Sequence, residues 1–306
     1  MSWRTIVVTG NSKLDLRMNY LVVRGSEIRK VHLSEISVLI IESTAVSMTS
    51  MLLCDMSRRN IKIIFCDETH NPYGELTPLY GSHDSTDKLR AQISWKEADK
   101  KAVWTEIVRN KIYNQSKVIE RISAERSALL RKYADETMIG DSTNREGHAA
   151  KVYFNTLFGN GFSRRDDNVI NSCLNYGYSI ILSAVNRDIV SLGYNTELGI
   201  FHDNVFNHFN LGSDLMEPLR PMVDSYVVRM SPQSFDTQTK HELAAILSRT
   251  VRTEGKEHLL SNGIRIYVKS VLDLLSHESE SDISFCNYEI QSNEDNSLLR
   301  SSSRND

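Results

Sequence analysis

The chain has 306 residues and a mass of 34.9 kDa, so at about 150 residues per domain we expect roughly two domains. Hydrophobic residues make up 40% and charged residues 25% of the sequence, which excludes a wholly disordered protein. With 36 basic and 39 acidic residues the formal net charge is −3, so the chain as a whole is not a strongly basic nucleic-acid-binding protein.

The first 80 residues have the pattern of a β-rich region. Gly25–Ser26 separates two strand-like runs and predicts a tight hairpin. Ser47–Arg59 differs, because its methionines and leucine recur at helical spacing. An antiparallel sheet with one helix accounts for this half. Alternating, β-branched or apolar runs typical of strands occur at Thr5–Thr9, Lys13–Arg17, Tyr20–Val23, Glu27–Val31, Val38–Ile41 and Ile61–Cys66.

After Pro78 the apolar residues take a helical period. Asp87–Tyr133 is predicted to form one or two long helices with charges on the outer face. Asn168–Asn186 is the clearest helix, since its apolar residues recur every three or four positions. Further helices are predicted at His241–Thr250 and Val268–Leu275.

The sequence therefore predicts an α+β fold. A small β-rich N-terminal domain spans residues 1–80, and a larger all-α C-terminal domain spans residues 81–275. Residues 276–306 contain seven acidic residues and two arginines without a hydrophobic period, and we expect a poorly ordered acidic tail.

Cysteine spacing and the chain start bear on the compartment. The four cysteines are far apart and form no Cys-x-x-Cys pair, which argues against zinc ribbons, zinc fingers and disulfide scaffolds. The first residues lack the cationic and apolar stretches of a secretory signal. No apolar run approaches the roughly 20 residues that span a bilayer. We expect a reduced, cytoplasmic compartment and no membrane partner.

Three groups of residues are candidates for metal chemistry. His202 closes an apolar stretch, and Asp214 and Glu217 follow it with a spacing of three that places both carboxylates on one face of a helix. Imidazole and carboxylate ligands suit Mn²⁺ or Mg²⁺ better than a structural zinc. Glu146 lies at the start of another predicted helix, where an acidic residue also favours the helix dipole. Spacing leaves open whether these residues converge or are ordinary helix and surface residues.

Five segments carry a resemblance to a known family. Glu146–Phe154, Leu198–His202 and Asp214–Pro221 resemble blocks of the CRISPR-associated integrase of spacer acquisition, the first-numbered Cas protein. Asn175–Leu182 and the strand end Ile64–Glu68 are similar to further stretches of that family. The segments follow the family's order over about residues 1–275 and look closest to the versions of type II-A systems.

The resemblance implies a metal site and its ligands. The family binds Mg²⁺ or Mn²⁺ through a glutamate, a histidine and a later acid, which correspond here to Glu146, His202 and Glu217. Asp214 matches another acidic position, as a residue that orients a ligand or as an alternative ligand. Arg220 matches an arginine that steadies a carboxylate or phosphate, although a helix-end salt bridge accounts for it equally well.

The resemblance also implies the function and the partners. The function is a metal-dependent DNA endonuclease and integrase of CRISPR adaptation, which joins the 3′-hydroxyl ends of captured DNA fragments into the repeat array. Two alternatives stay open: a branched-DNA nuclease that uses water as the nucleophile, and a non-catalytic DNA-binding scaffold. The implied partners are double-stranded DNA, a second copy of the chain bound through the β-rich domain, and a small dimeric ferredoxin-like Cas protein. For a type II-A system, the implied partners also include the ring-forming accessory Cas protein and the effector nuclease.

Basic residues form a candidate DNA surface. From Asp87 to Lys132 there are twelve basic and six acidic residues, an excess that attracts phosphate, although a solvated helix face has the same pattern. Trp95 and Trp104 are interleaved with these residues, and their spacing predicts that at least one of them lies in the core. The predicted phosphate contacts are Lys88, Arg90, Lys96, Lys100, Lys101, Arg109, Lys111, Arg164, Arg165 and Arg220.

Overall fold

The computed structural model describes residues 4–68, 72–76, 84–278 and 281–288. Up to residue 76 the described chain consists of strands with one α-helix, as the sequence predicts. The strands are β1 (Arg4–Val8), β2 (Ser12–Arg17), β3 (Tyr20–Arg24), β4 (Ile28–His32), β5 (Ile36–Ile41), β6 (Val46–Met48), β7 (Lys62–Cys66) and β8 (Pro72–Leu76), and helix α1 is Ser50–Arg58.

These strands form two sheets. One has the order β1-β5-β7-β8, with β1, β5 and β7 parallel and β8 antiparallel to β7. The other has the order β4-β3-β2-β6, and β6 is parallel to β2. The prediction of an antiparallel sheet is therefore wrong for β1, β5, β6 and β7. A parallel β5–β7 pair requires a crossover connection, and helix α1 forms part of it. The alternation of residues along a strand does not indicate whether its neighbour runs parallel or antiparallel to it.

Strand β5 separates two hydrophobic cores. Leu39 and Ile41 pack with Leu14 and helix α1 in the N-terminal core. Val38 and Ile40 join the core of the helical region from the other face. All six residues of β5 are buried within one chain. The apolar run 36–41 is therefore used up by packing within the chain and is not exposed for contact with a second copy.

The rest of the described chain is mostly helical, which confirms the predicted fold class. Its helices are α2 (Ser85–Ile93), α3 (Glu97–Ile119), α4 (Ala124–Asp135), α5 (Arg145–Phe158), α6 (Val169–Ser191), α7 (Asn210–Met216), α8 (Arg220–Met230), α9 (Thr237–Ala244) and α10 (Leu260–Leu275). Helix α6 packs against α7, α8, α9 and α10, and helix α3 packs against α4, α5 and α8.

Helix α6 is the predicted helix at Asn168–Asn186, and it lies at the centre of the larger core. Its Gly177 is required by packing, because a Cβ there would lie 2.5 Å from Val223 Cγ1. The predicted helix His241–Thr250 is correct only in its first part. A 3-10 turn, Ala245–Ser248, follows α9 and leads into a hairpin of β9 (Thr250–Thr253) and β10 (Lys256–Leu259), which the sequence analysis missed.

Part of the predicted acidic tail is packed rather than loose. Asn287 pairs with Arg252 of β9, and Cys286 and Tyr288 are buried. Apolar side chains next to the acids account for this packing. Residues 289–306 lie outside the described residues. No helix in the described ranges is long and apolar enough to cross a bilayer.

Candidate active site

Glu146 lies in the first turn of α5. The Asp141 carboxylate accepts the backbone N–H groups of Arg145 at 2.7 Å and Glu146 at 3.1 Å. The Asn144 side chain accepts the N–H of Gly147 at 3.2 Å. Together they satisfy the unpaired donors at the helix start and hold Glu146 at the inner end of α5.

His202 is held by the carboxylate of Asp214. Asp214 is fully buried and accepts the backbone N–H groups of Ile200, Phe201 and His202 at 2.6, 2.9 and 3.1 Å. Its Oδ1 also lies 2.5 Å from His202 Nδ1, and this hydrogen bond is the largest factor that raises the pKa of His202. The carboxylate thus selects the tautomer with its proton on Nδ1. No hydrogen-bond partner among the described residues reaches Nε2.

Gly199 lets the loop that carries His202 pass close to Asp214. A Cβ at this position would lie 2.2 Å from the His202 carbonyl oxygen and 2.9 Å from Asp214 Oδ2. Any larger residue would displace the loop from the carboxylate. This glycine therefore belongs to the machinery that orients the imidazole.

Glu217 and Glu146 face each other across one lysine. Lys111 Nζ lies 2.5 Å from Glu146 Oε1 and 2.5 Å from Glu217 Oε2. Arg220 Nε donates to Glu217 Oε1 at 2.8 Å. Burial alone would raise the pKa of Glu217, but the charges of Lys111 and Arg220 lower it to about 2. The buried carboxylate is therefore ionised at neutral pH.

An interruption of the helix at Pro218 positions Glu217. Helix α7 ends at Met216, a 3-10 turn spans Glu217–Leu219, and α8 begins at Arg220, as the proline predicts. Asn114 of α3 donates to the Pro218 carbonyl oxygen at 3.0 Å in a buried hydrogen bond. The turn is thus attached to the helix that carries Lys111.

The structure brings the three predicted ligands to one place without closing them around an ion. Glu146 and Glu217 are close enough to His202 to raise its pKa through their charges, although less than Asp214 does. Among the described residues, no three His, Cys, Asp or Glu side chains are arranged to hold an ion. Lys111 instead lies between the two glutamates. The donor types fit a divalent cation, provided that the lysine moves aside.

A buried network lies behind Arg220. Asp224 Oδ2 accepts the hydroxyl of Tyr153 at 2.9 Å, and Oδ1 accepts the hydroxyl of Tyr178. Burial raises the pKa of Asp224 to about 6, although both tyrosine hydrogen bonds and the charge of Arg220 act against it. Arg220 also lies over the Tyr178 ring, 4.7 Å from its centroid. The network fixes α8 against α5 and α6.

We expect Asp224→Asn to remove a pH-dependent part of the stability. Because the pKa of Asp224 is raised in the folded state, its contribution is full below the unfolded pKa and is lost as the pH rises through about 6. Relative to the wild type, the variant should gain about 2.4 kcal/mol in free energy of unfolding between about pH 4 and pH 7.5. Urea titrations at both pH values measure this difference. A difference that does not change with pH would contradict the prediction, and exposed Asp203→Asn is the control.

The sequence places this chain in a known family. The family profile described as "CRISPR associated protein Cas1" matches residues 6–259. The chain belongs to the Cas1 family. The CRISPR-associated endonuclease Cas1 of Neisseria meningitidis serogroup C (strain 8013) is 37% identical over 235 residues, which cover 76% of this chain and 77% of that relative. The CRISPR-associated endonuclease Cas1 1 of Francisella tularensis subsp. novicida (strain U112) is 25% identical, covering 85% and 89%.

Solved structures share the fold of this Cas1-family chain. A casposase bound to integration product has a TM-score of 0.77 at 19% identity and covers 99% of both chains. A chain of the Cas6-RT-Cas1–Cas2 complex has a TM-score of 0.70 at 18% identity, covering 92% of this chain and 36% of that one. At these identities the likeness shows the fold. The family prediction is confirmed, and the type II-A assignment stays a prediction.

The predicted DNA contacts of this Cas1-family chain divide into two groups. Arg164 and Arg220 both lie over the Tyr178 ring, 5.4 and 4.7 Å from its centroid. Arg109 is bound to Glu106 and the Thr137 carbonyl oxygen. Exposed residues with no contact to the site are Arg90, Lys96, Lys101 and Arg165, while Lys88 and Lys100 pair with Glu278 and Glu97. All of these remain predictions.

Several residues of the Cas1-family site have roles that sequence reasoning missed. Lys111 was predicted to lie on the outer face of α3. The structure instead buries it between two acids. Trp95 and Trp104 are both buried, and Trp104 stacks on Phe201 with ring centroids 4.4 Å apart. Asp224 was also missed. The sequence feature that could have identified Asp224 is its position seven residues after Glu217, in a mostly apolar segment.

Proposed function

We propose that this chain is a divalent-metal-dependent DNA integrase and endonuclease of CRISPR adaptation, which joins the 3′-hydroxyl ends of captured fragments into the repeat array in the cytoplasm. One observation supports it above the others. Two glutamates, one buried and one half-buried, face each other across a single lysine ammonium group, and the charges of both act on an imidazole whose Nε2 is unpaired among the described residues. Carboxylate and imidazole donors facing one position are typical of a divalent-cation site.

Glu146, His202 and Glu217 would hold Mg²⁺ or Mn²⁺ in this proposal. The bound ion polarises a phosphodiester oxygen and neutralises developing charge. Asp214 keeps the proton on His202 Nδ1, so that Nε2 presents a lone pair. Lys111 leaves the space between the glutamates and keeps a positive charge near the phosphate.

The arginines beside the site have a separate task. Arg220 donates to Glu217 and stacks on Tyr178, and Arg164 stacks on the same ring. Guanidinium groups held in this way match phosphate oxygens without reading base sequence. We propose that they orient the DNA backbone at the carboxylates.

The two alternatives make different demands on the same residues. A branched-DNA nuclease needs water at the site, and His202, whose side chain is 41% exposed, leaves it accessible. A scaffold without catalysis would have no use for this cluster of buried ion pairs, whose removal from water is costly. We therefore place the integrase first and the nuclease second.

Partners follow from the same proposal. The similar solved structures include a casposase bound to integration product and a Cas6-RT-Cas1–Cas2 complex. These structures support DNA and a second Cas protein as what this chain binds. A homodimer through the exposed strand edges of the N-terminal sheets, and the type II-A accessory proteins, complete the proposal.

We expect Glu146→Gln to reduce joining of a labelled duplex into plasmid that carries a CRISPR repeat. The loss should be at least about 100-fold, because even residues that only orient a metal ligand cost 10–100-fold. The assay contains the small Cas partner and Mn²⁺ or Mg²⁺. Exposed Glu125→Gln is the matched control. Joining by the folded Glu146→Gln variant at the wild-type rate would refute the site. Cutting without joining in the wild type would favour the nuclease, and binding with neither activity would favour the scaffold.

A further inference from the structure

A second basic site lies on the other side of α8. A cleft of about 470 Å³ is lined by Tyr226 and Arg229 of α8, by Arg249 just before β9, by Arg252 of β9, and by Tyr288. Arg229 is nine residues after Arg220, or two and a half helical turns, so the two arginines point to opposite sides of α8. The cleft is therefore separate from the carboxylates at Glu146 and Glu217.

Two arginines in this cleft share one aromatic ring. The guanidinium carbons of Arg249 and Arg229 lie 4.9 and 5.5 Å from the centroid of Tyr226, and Arg249 donates to the Tyr226 hydroxyl at 3.0 Å. Neither arginine has a carboxylate partner in the part of the chain that the structure describes. The acid in the cleft lining, Glu257, lies 3.6 Å from Arg252 instead. Two neighbouring positive charges thus remain uncompensated.

Buried donors in the cleft are also unsatisfied. Arg229 Nε and the Tyr288 hydroxyl are inaccessible to solvent and have no hydrogen-bond partner within residues 4–68, 72–76, 84–278 and 281–288. Burial, and then the charge of Arg249, lower the pKa of Arg229, although an arginine stays protonated. Buried donors and like charges next to each other are costly unless an anion binds between them. The arrangement is typical of a site for an anionic ligand.

We propose that this cleft binds a phosphodiester group of DNA, with Arg229 and Arg249 as its principal contacts. Guanidinium forks match phosphate oxygens, and the volume suits a nucleotide-sized group. The DNA identity rests on the proposed function, whereas the phosphate chemistry is shared with free nucleotides. A strand held here lies on the opposite side of α8 from the reacting bond, so the contact positions DNA and takes no part in the chemistry.

Fluorescence anisotropy with labelled duplex and single-stranded DNA of about 20 nucleotides, in EDTA and over a range of salt, tests the proposal. For full-length Arg229→Gln/Arg249→Gln we expect about 10-fold weaker binding per lost guanidinium contact, and a salt slope shallower by about 0.9 per contact on duplex. The matched control is Arg29→Gln, which replaces an exposed arginine of β4 that pairs with Glu27. Circular dichroism checks folding, and single Arg249→Gln replaces the double variant if that variant does not fold.

The outcomes separate the sources of phosphate. Unchanged DNA affinity and salt slope in a folded variant would overturn the proposal. Unchanged DNA binding together with loss of thermal stabilisation by inorganic phosphate or dAMP would assign the cleft to a free phosphate ligand and overturn the DNA identity. The joining assay with Glu146→Gln tests the catalytic site separately from the cleft. If the cleft proposal is wrong, the anisotropy measurement of DNA binding shows it. If the proposed catalytic site is wrong, the joining assay shows it.

Discussion

Replacing Lys111 with methionine is expected to lower the free energy of unfolding of the metal-free protein by roughly 3–5 kcal/mol, as for a buried ion pair that loses one partner. Its ammonium group lies 2.5 Å from an oxygen of Glu146 and of Glu217, and it is the larger of the two charges that lower the pKa of Glu217. Methionine fills a similar volume but leaves the two carboxylates facing each other. Urea unfolding in EDTA measures the loss.

Mn²⁺ should restore most of this stability in Lys111→Met, and more than it adds to the wild type, because a cation then fills the space that the lysine occupied. Lys100→Met, on the same helix and paired with Glu97 at the surface, should change stability by less than about 1 kcal/mol. A Lys111→Met variant as stable as the wild type in EDTA would show that the lysine does not bridge the acids. Equal stabilisation of both proteins by Mn²⁺ would show that lysine and metal do not share one position.

The Asp214→Asn variant is expected to lose both stability and activity. Asp214 accepts three backbone N–H groups and His202 Nδ1, and an asparagine can accept only through one oxygen while its amide group points at N–H donors. Unsatisfied buried donors should cost roughly 2–4 kcal/mol in free energy of unfolding. Loss of the imidazole orientation should reduce joining about 10–100-fold.

Two measurements check Asp214→Asn: urea unfolding, and metal-dependent joining by the folded fraction at low temperature. Asp203→Asn is the control, since Asp203 is exposed in the same loop, next to His202. If Asp214→Asn joined DNA at the wild-type rate, the carboxylate would have no role in orienting His202. If its stability were unchanged, the loop would have other supports.

Elements with a strong local period were predictable. The Met and Leu spacing in Ser47–Arg59 predicted α1, and the apolar stripe after Asn168 predicted α6. The interruption of the helix at Glu217–Leu219 falls at Pro218, which lacks the backbone N–H that a continuous helix needs. Each depends on neighbours within one or two turns, and the physical effects that decide it are equally local.

Strand pairing and the inner side of the site were not predictable in the same way. The predicted helix ended at Thr250, and no strand was predicted at Thr250–Thr253, because so short a pattern does not indicate a strand until β10 pairs with it. Lys111 belongs to a basic stretch that has the pattern of a solvated helix face. Only contacts with Glu146 and Glu217, which are far away in the chain, reverse that interpretation.

The sequence by itself determined that a β-rich region precedes a mostly helical one, that the chain resembles one family, and that Glu146, His202 and Glu217 are the residues to examine. Only the tertiary structure decided that Lys111 lies between the two glutamates, that Asp214 orients His202, and that Arg229 and Arg249 share a cleft. Helix and strand periods are set by adjacent residues. Burial, ion pairing and the convergence of side chains depend on how distant segments pack, which no local pattern contains.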